Sequence, residues 1–259
     1  MGVAHIIDKF EGITLLEMDG VKLMNRTDRK YWFNALHLAE LLEDVIGDYY
    51  LLDIDGERNQ AYSTIYFDTP VDRMYTDHHR GKMNRYKIRR RNYHVTNSSF
   101  LEVKFKNNKG RTAKVRCSSD YSNSGFSVKD DEFIKASTPF SSEQLQKVLE
   151  NRFRRLMLVS KAMNERCTID TELQFVSNNN EIKLSTLVIV EVKSDGKNYS
   201  PIIDALSKRR IKSSGFSKYC MGRSVTDDSL HTNNFKLKHR QIEKKLNIKL
   251  SDLILPENK

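Results

Sequence analysis

Little in this sequence is built for covalent stapling or for crossing a bilayer. The three cysteines, Cys117, Cys167 and Cys220, are far apart and odd in number. That argues against a disulfide framework or a zinc cluster and fits a reducing cytoplasm. No apolar run approaches the roughly 20 residues that span a membrane. Residues 1–12 lack the basic-then-apolar pattern of a secretory signal. No Gly-x-x-x-x-Gly-Lys-Ser/Thr loop occurs, nor a kinase-type glycine-rich loop with His-Arg-Asp. A nucleotide would therefore have to be held mainly through its phosphates, with loose base selectivity. Internal repeats and low-complexity linkers are also missing, so a single domain over residues 1–259 is expected.

What the chain does have is positive charge. Its 259 residues suffice for a substantial core. A hydrophobic fraction of 38% with 30% charged residues suits a globular protein, and the net charge is +10. That surplus has a bland reading, solvated surface lysine, and a sharper one, a polyanionic partner such as nucleic acid, polyphosphate or a membrane surface. The positions of the charges decide between them.

Residues 1–24 read as a lead-in with one or two weak strands. Asn34–Ile46 carries Leu36, Leu38, Leu41, Leu42, Val45 and Ile46 at helical spacing before Gly47. Strand patterns cover 62–67, 86–93, 100–106, 111–117, 153–160, 166–175 and 184–192. Asn107-Asn108-Lys109-Gly110 signals a hairpin between two of them, and Asn178-Asn179-Asn180 a turn between two others. Residues 118–131 read as a loop. Ser141 with Gln144 looks like a capping box opening a helix to about Glu150. Ser200-Pro201 starts a helix to Ile211, and Lys236–Ile248 reads as a basic helix. The expected class is α+β, dominated by antiparallel strands.

Side chains alternate between the two faces of a strand. Lys87, Arg89 and Arg91 share a face. So do Glu102, Lys104 and Lys106, opposite Leu101, Val103 and Phe105. Lys114 with Arg116, Arg166 with Thr168 and Asp170, and Glu191 with Lys193 continue the pattern. A single strand of this kind is usually a solvated face. Five of them concentrate like charges that repel, unless an anion neutralises them. A closed barrel with a polar lumen and an apolar wall covered by helices accounts for both faces.

The ordered fragments Arg26-Thr27-Asp28-Arg29-Lys30-Tyr31, Ser63-Thr64-Ile65-Tyr66-Phe67-Asp68, Lys87-Ile88-Arg89-Arg90-Arg91 and Phe100-Leu101-Glu102-Val103-Lys104 are specific. So are Phe153-Arg154-Arg155, Arg166-Cys167-Thr168-Ile169-Asp170, Val190-Glu191-Val192-Lys193 and Phe216-Ser217-Lys218-Tyr219. Over residues 25–222 they resemble the VTC domain, the polyphosphate polymerase domain of the vacuolar transporter chaperone complex. That domain is one of the triphosphate tunnel metalloenzymes, or CYTH-like superfamily. The resemblance implies an antiparallel closed barrel of about eight strands with helices outside. Residues 223–259 would then be a helical extension.

It also implies a polymerase that passes the γ-phosphate of ATP to inorganic polyphosphate with Mn2+ or Mg2+. Lys30, Lys87, Arg89, Lys104, Lys114, Arg155, Lys193 and Lys218 would contact phosphate, with Arg91, Arg116 and Arg166 as second choices. Lys30, Arg89, Lys104, Lys193 and Lys218 would carry the chemistry. Glu191 matches the metal-binding carboxylate, against the alternative of a salt bridge. Glu102 is either a second ligand or a partner for Lys104. Asp170 reads as orienting Arg166, while Tyr31, Tyr66 and Tyr219 read as packing. Phe153 replaces a tyrosine, and the choice between Arg154 and Arg155 stays open. Tunnel hydrolases of the superfamily typically open with Glu-x-Glu-x-Lys, where this chain has Arg26-x-Asp28-x-Lys30. That change favours the polymerase over a triphosphatase acting on nucleoside triphosphate or tripolyphosphate. A non-catalytic polyphosphate or nucleic-acid binder is the third reading, with nucleic acid disfavoured as the partner. A separate membrane protein remains compatible with the sequence.

Overall fold

The computed structural model describes residues 2–19, 27–122, 125–177, 180–253 and 255–256. The strands are β1 (Glu11–Ile13), β2 (Thr27–Asn34), β3 (Tyr49–Leu52), β4 (Gln60–Asp68), β5 (Arg85–Tyr93) and β6 (Ser98–Lys106). They continue with β7 (Thr112–Ser118), β8 (Gln146–Ser160), β9 (Glu165–Ser177), β10 (Asn180–Leu184), β11 (Leu187–Ser194) and β12 (Leu255–Pro256). The α-helices are α1 (Val3–Ile7), α2 (Leu15–Asp19), α3 (Leu38–Val45) and α4 (Arg73–His79). After them come α5 (Val128–Ser137), α6 (Pro201–Lys208), α7 (Lys218–Thr226) and α8 (Lys236–Leu246).

The strands join a 12-stranded sheet whose main row runs β2-β11-β9-β8-β4-β5-β6-β7. β3 and β1 branch from β8, and β10 and β12 from β9. Antiparallel strands flanked by helices are as expected. The closed barrel of about eight strands is corrected, because the row has ends. Among the described residues β2 pairs only with β11 and β7 only with β6. Both edges are exposed and charged, at Thr27-Asp28-Arg29 and along Thr112–Arg116, a pattern that discourages stray strand pairing. The extra strands β1 and β3 are too short to show a clear alternation in sequence.

Other expectations change as well. The lead-in folds mainly as α1 and α2 around the short β1, and residues 20–24 lie outside the described residues. Ser141–Gln144 closes only a 3-10 turn, and β8 starts at Gln146, where a helix to Glu150 was expected. The end of the expected 118–131 loop is helical, because Ser127 and Asp130 form a reciprocal capping box that opens α5. The expected strand 184–192 divides into the end of β10 and β11.

The chain divides into two compact units. One comprises Met1–Ala61, Phe153–Leu173 and Leu184–Phe216, the other Tyr62–Arg152, Gln174–Lys183 and Ser217–Lys259. In the first unit, Leu38, Leu41, Leu42 and Val45 form the buried stripe of α3. The Ser200 hydroxyl and Pro201 start α6. These helices and α1 cover the apolar face of the strands: Tyr31 and Phe33 on β2, Val188, Val190 and Val192 on β11, Cys167 and Ile169 on β9, Leu156 and Leu158 on β8. The opposite face of the same strands is left to the charged residues.

In the second unit β4, β5, β6 and β7 form an antiparallel ladder. The expected hairpin joins β6 to β7. Asn107 Oδ1 accepts from the Lys109 and Arg111 amides, and Gly110 takes the positive φ of 77° that the turn requires. Helix α7 is buried from Tyr219 to Thr226. Its Gly222 admits this close packing: a Cβ there would meet Leu149 Cδ2 at 2.5 Å and Phe175 Cδ1 at 2.6 Å. Gly222→Ala is therefore expected to lower stability by about 1–3 kcal/mol, read as a lower urea midpoint. An unchanged midpoint would show that α7 has slack.

Candidate functional site

Register decides which side chains meet. On the β4–β7 ladder, Lys87 lies opposite Lys104, and Lys104 opposite Lys114. The next row along is Tyr66, Arg89, Glu102 and Arg116, and the one after it Thr64, Arg91, Phe100 and Ser118. Opposed residues share a face. Lys87, Arg89, Arg91, Lys104, Lys114 and Arg116 therefore all rise from one face, together with a single carboxylate from these three strands, Glu102.

Glu102 is fully buried. Arg89 Nε donates to its Oε2 at 2.7 Å, and Lys114 Nζ pairs with its Oε1. Burial alone would raise this carboxyl, but the charges of Arg89, Arg91 and Lys114 outweigh it and hold it at about 2. Burial lowers the Lys114 ammonium, only partly offset by Glu102. Arg91 Nε donates to Thr64 Oγ1 at 3.1 Å. Lys87 Nζ reaches Ser217 Oγ at 2.9 Å, and Ser217 also caps α7, whose first residue is Lys218. Tyr66 and Tyr219 are buried and stacked, with ring centroids 5.2 Å apart. They pack, as expected.

Arg90 points the other way, buried between the rings of Phe67 and Phe126, and it pairs with Asp130 at 3.2 Å. This structural arginine was hidden inside the Lys87–Arg91 run. The capping box of α5 fixes the position of its partner.

The first unit gathers a second cluster. Glu191 lies opposite Lys30 on β2 and Thr168 on β9, and Lys193 opposite Asp28 and Arg166. Lys30 Nζ sits 2.8 Å from Glu191 Oε1. Burial would raise the Glu191 carboxyl, but Lys30, Lys193 and Arg155 outweigh burial and hold it at about 2. Asp170 grips Arg155 through two bonds of 2.6 and 2.9 Å, a rigid bidentate pair. The expected Asp170–Arg166 pairing is thus corrected, and Arg166 donates to the Met18 carbonyl oxygen. The Arg154–Arg155 alternative is decided on the same grounds. Arg155 joins the Asp170 face, whereas Arg154 turns to the Asn59 carbonyl and Glu172. Tyr31 is buried in the helix-covered core on the other face. Arg26 lies outside the described residues.

The two clusters differ in balance. Lys30, Arg155, Arg166 and Lys193 stand with Asp28, Asp170 and Glu191, so the first is near neutral. The ladder cluster is strongly positive. Among the described residues no group of three or more His, Cys, Asp or Glu side chains gathers to hold a metal. One ionised carboxylate completed by substrate phosphates and water is the usual magnesium arrangement. Glu191, partly exposed, suits it, while Glu102 is already committed to Arg89 and Lys114. No described helix is long and apolar enough to cross a membrane.

The family model described as the VTC domain matches residues 25–226. No curated protein matches. Among solved structures, a candidate adenylate cyclase from Bacillus halodurans is 10% identical, covering 75% of this chain and 96% of its own, with a TM-score of 0.49. A candidate adenylyl cyclase from Hippeastrum, described as having a dominant triphosphatase activity, is 14% identical over 78% and 96%, with a TM-score of 0.47. These likenesses are distant.

Proposed function

This chain belongs to the VTC domain family, and on that basis we propose that it moves the γ-phosphate of ATP onto a growing inorganic polyphosphate chain. The observation that carries the reading is the ladder face. Eight cations, Arg85, Lys87, Arg89, Arg91, Lys104, Lys106, Lys114 and Arg116, share it with one carboxylate from the same strands. Such a face is stabilised by an anion of high charge density.

Phosphoryl transfer requires charge neutralisation and alignment more than covalent help. On the ladder face Arg89 is held in place by Glu102, so it needs no further ordering to meet a phosphate. In the other cluster Asp170 holds Arg155, and Lys30 and Lys193 flank Glu191. The attacking oxygen of a polyphosphate end is already ionised, so the reaction needs no general base. Bound Mn2+ or Mg2+ would add Lewis-acid stabilisation of the transferring group, with Glu191 as the carboxylate that holds it and Lys30 as the cation that must give way.

Incubation of purified protein with ATP and Mn2+ tests the reading. Polyphosphate resolved on a gel supports it. Free phosphate without chains would replace it with a triphosphatase. Binding without turnover of either kind would leave a polyanion-binding module.

A further inference from the structure

The charged ladder face ends in a mixed edge, with Ser98 opposite Tyr93 and Ser118 opposite Phe100. Three aromatics gather there, Phe100 opposite Arg91 and Tyr62 and Tyr93 in the next row. Tyr62 and Tyr93 lie directly opposite each other, with ring centroids 5.2 Å apart at 66°. Phe100 meets Tyr93 edge-on at 5.9 Å. The Arg116 guanidinium lies over the Phe100 ring at 4.5 Å, and that of Arg91 lies 5.9 Å from the Tyr62 centroid. Tyr62 is buried, Tyr93 and Phe100 are half-buried, and Arg116 is exposed. An aromatic that served only as core would be covered by apolar groups. Phe100 instead keeps an exposed guanidinium on its ring.

Phe100 stands four residues from Lys104 on the same face of β6, about 13 Å along the strand. A ribose and a triphosphate bridge a gap of this order. We propose that Phe100, backed by Tyr93 and Tyr62 and capped by Arg116, is the nucleobase platform of this face. A nucleoside triphosphate then lies along the ladder with its phosphates towards Lys87, Lys104 and Lys114 and its base on the Phe100–Arg116 pair. The inference rests on the reading that this face holds the triphosphate of ATP, and it adds the residues that hold the base. Stacking accepts any base, because every base has a π-face, and an arginine adds a cation–π contribution. The platform therefore strengthens nucleotide binding with only modest base preference, purines above pyrimidines.

Titration calorimetry without divalent metal tests this, using ATP and inorganic tripolyphosphate as paired probes on wild type, Phe100→Leu and Phe100→Trp. Phe100→Leu is expected to weaken ATP about tenfold and to leave tripolyphosphate unchanged. Phe100→Trp is expected to hold ATP at least as tightly as wild type. Equal weakening of both probes in Phe100→Leu, or no weakening of ATP, overturns the platform alone. Wild type that binds neither probe overturns the phosphate-holding face itself. If Phe100→Leu proves unfolded by circular dichroism, Phe100→Trp decides: ATP affinity that falls while tripolyphosphate affinity holds overturns the platform.

Discussion

Glu102→Gln is expected to lower the unfolding free energy at pH 7 by about 3–5 kcal/mol, the range for breaking a buried ion pair on one side. The substitution keeps shape and volume and removes only charge. Arg89 is 9% exposed and remains in place with its main counter-charge gone. Burial lowers its ionisation, and Glu102 followed by Tyr66 raises it above the ordinary value. Lys114, Arg91 and the other cations of the ladder then repel one another with nothing between them. Urea denaturation at pH 7 measures the loss. A midpoint within error of wild type would mean that water reaches Arg89 freely.

The same carboxylate fixes the sign of the acid response. Its pKa falls from 4.5 unfolded to about 2 folded, so the stabilisation is complete above the unfolded value and disappears as pH falls through about 2. Glu191 behaves alike. Wild-type stability should therefore decline between pH 4.5 and 2, and the gap between wild type and Glu102→Gln should close over that window. Salt or phosphate should narrow the gap from the other side, because an anion on the ladder screens the cations that Glu102 leaves behind.

Alternation made the charged faces legible. A period of two puts Lys87, Arg89 and Arg91 on one side of β5 whatever the strand pairs with, and registers between neighbouring strands then assemble the faces. The family resemblance rested on the same fragments. What alternation does not carry is which cation answers which carboxylate. Sequence leaves Glu102 as either a second metal ligand or a partner for Lys104, whereas register puts it between Arg89 and Lys114 on the neighbouring strands. Asp170 was read against Arg166 and grips Arg155 on the next strand. Those choices depend on register and rotamer, which arise only when strands pair. Arg90 shows the same limit, since one more arginine in a basic run gives no sign that it packs between Phe67 and Phe126 against Asp130. Sheet closure was out of reach for a related reason. Whether two edges meet is a property of the whole row, and β2 and β7 look in sequence like any other strands.

Glu191→Gln is expected to reduce product formation from ATP and Mn2+ about a hundredfold while leaving the fold intact. Unlike Glu102, this side chain keeps 21% exposure and has a partner, Lys30, that is 32% exposed. Lys30 can therefore turn to solvent when the carboxylate is removed, so less stability is at stake than at Glu102. What is lost is an ionised oxygen ligand among cations, the donor that a hard metal would use together with phosphate oxygens. Removing one negative charge from a phosphate-holding cluster should also leave metal-free tripolyphosphate affinity equal or higher. The signature is therefore a split: turnover falls, the Mn2+ requirement rises, and anion binding holds. A structural salt bridge alone would give the opposite pattern, with turnover near wild type and no change in metal requirement. That result would remove Glu191 from the chemistry.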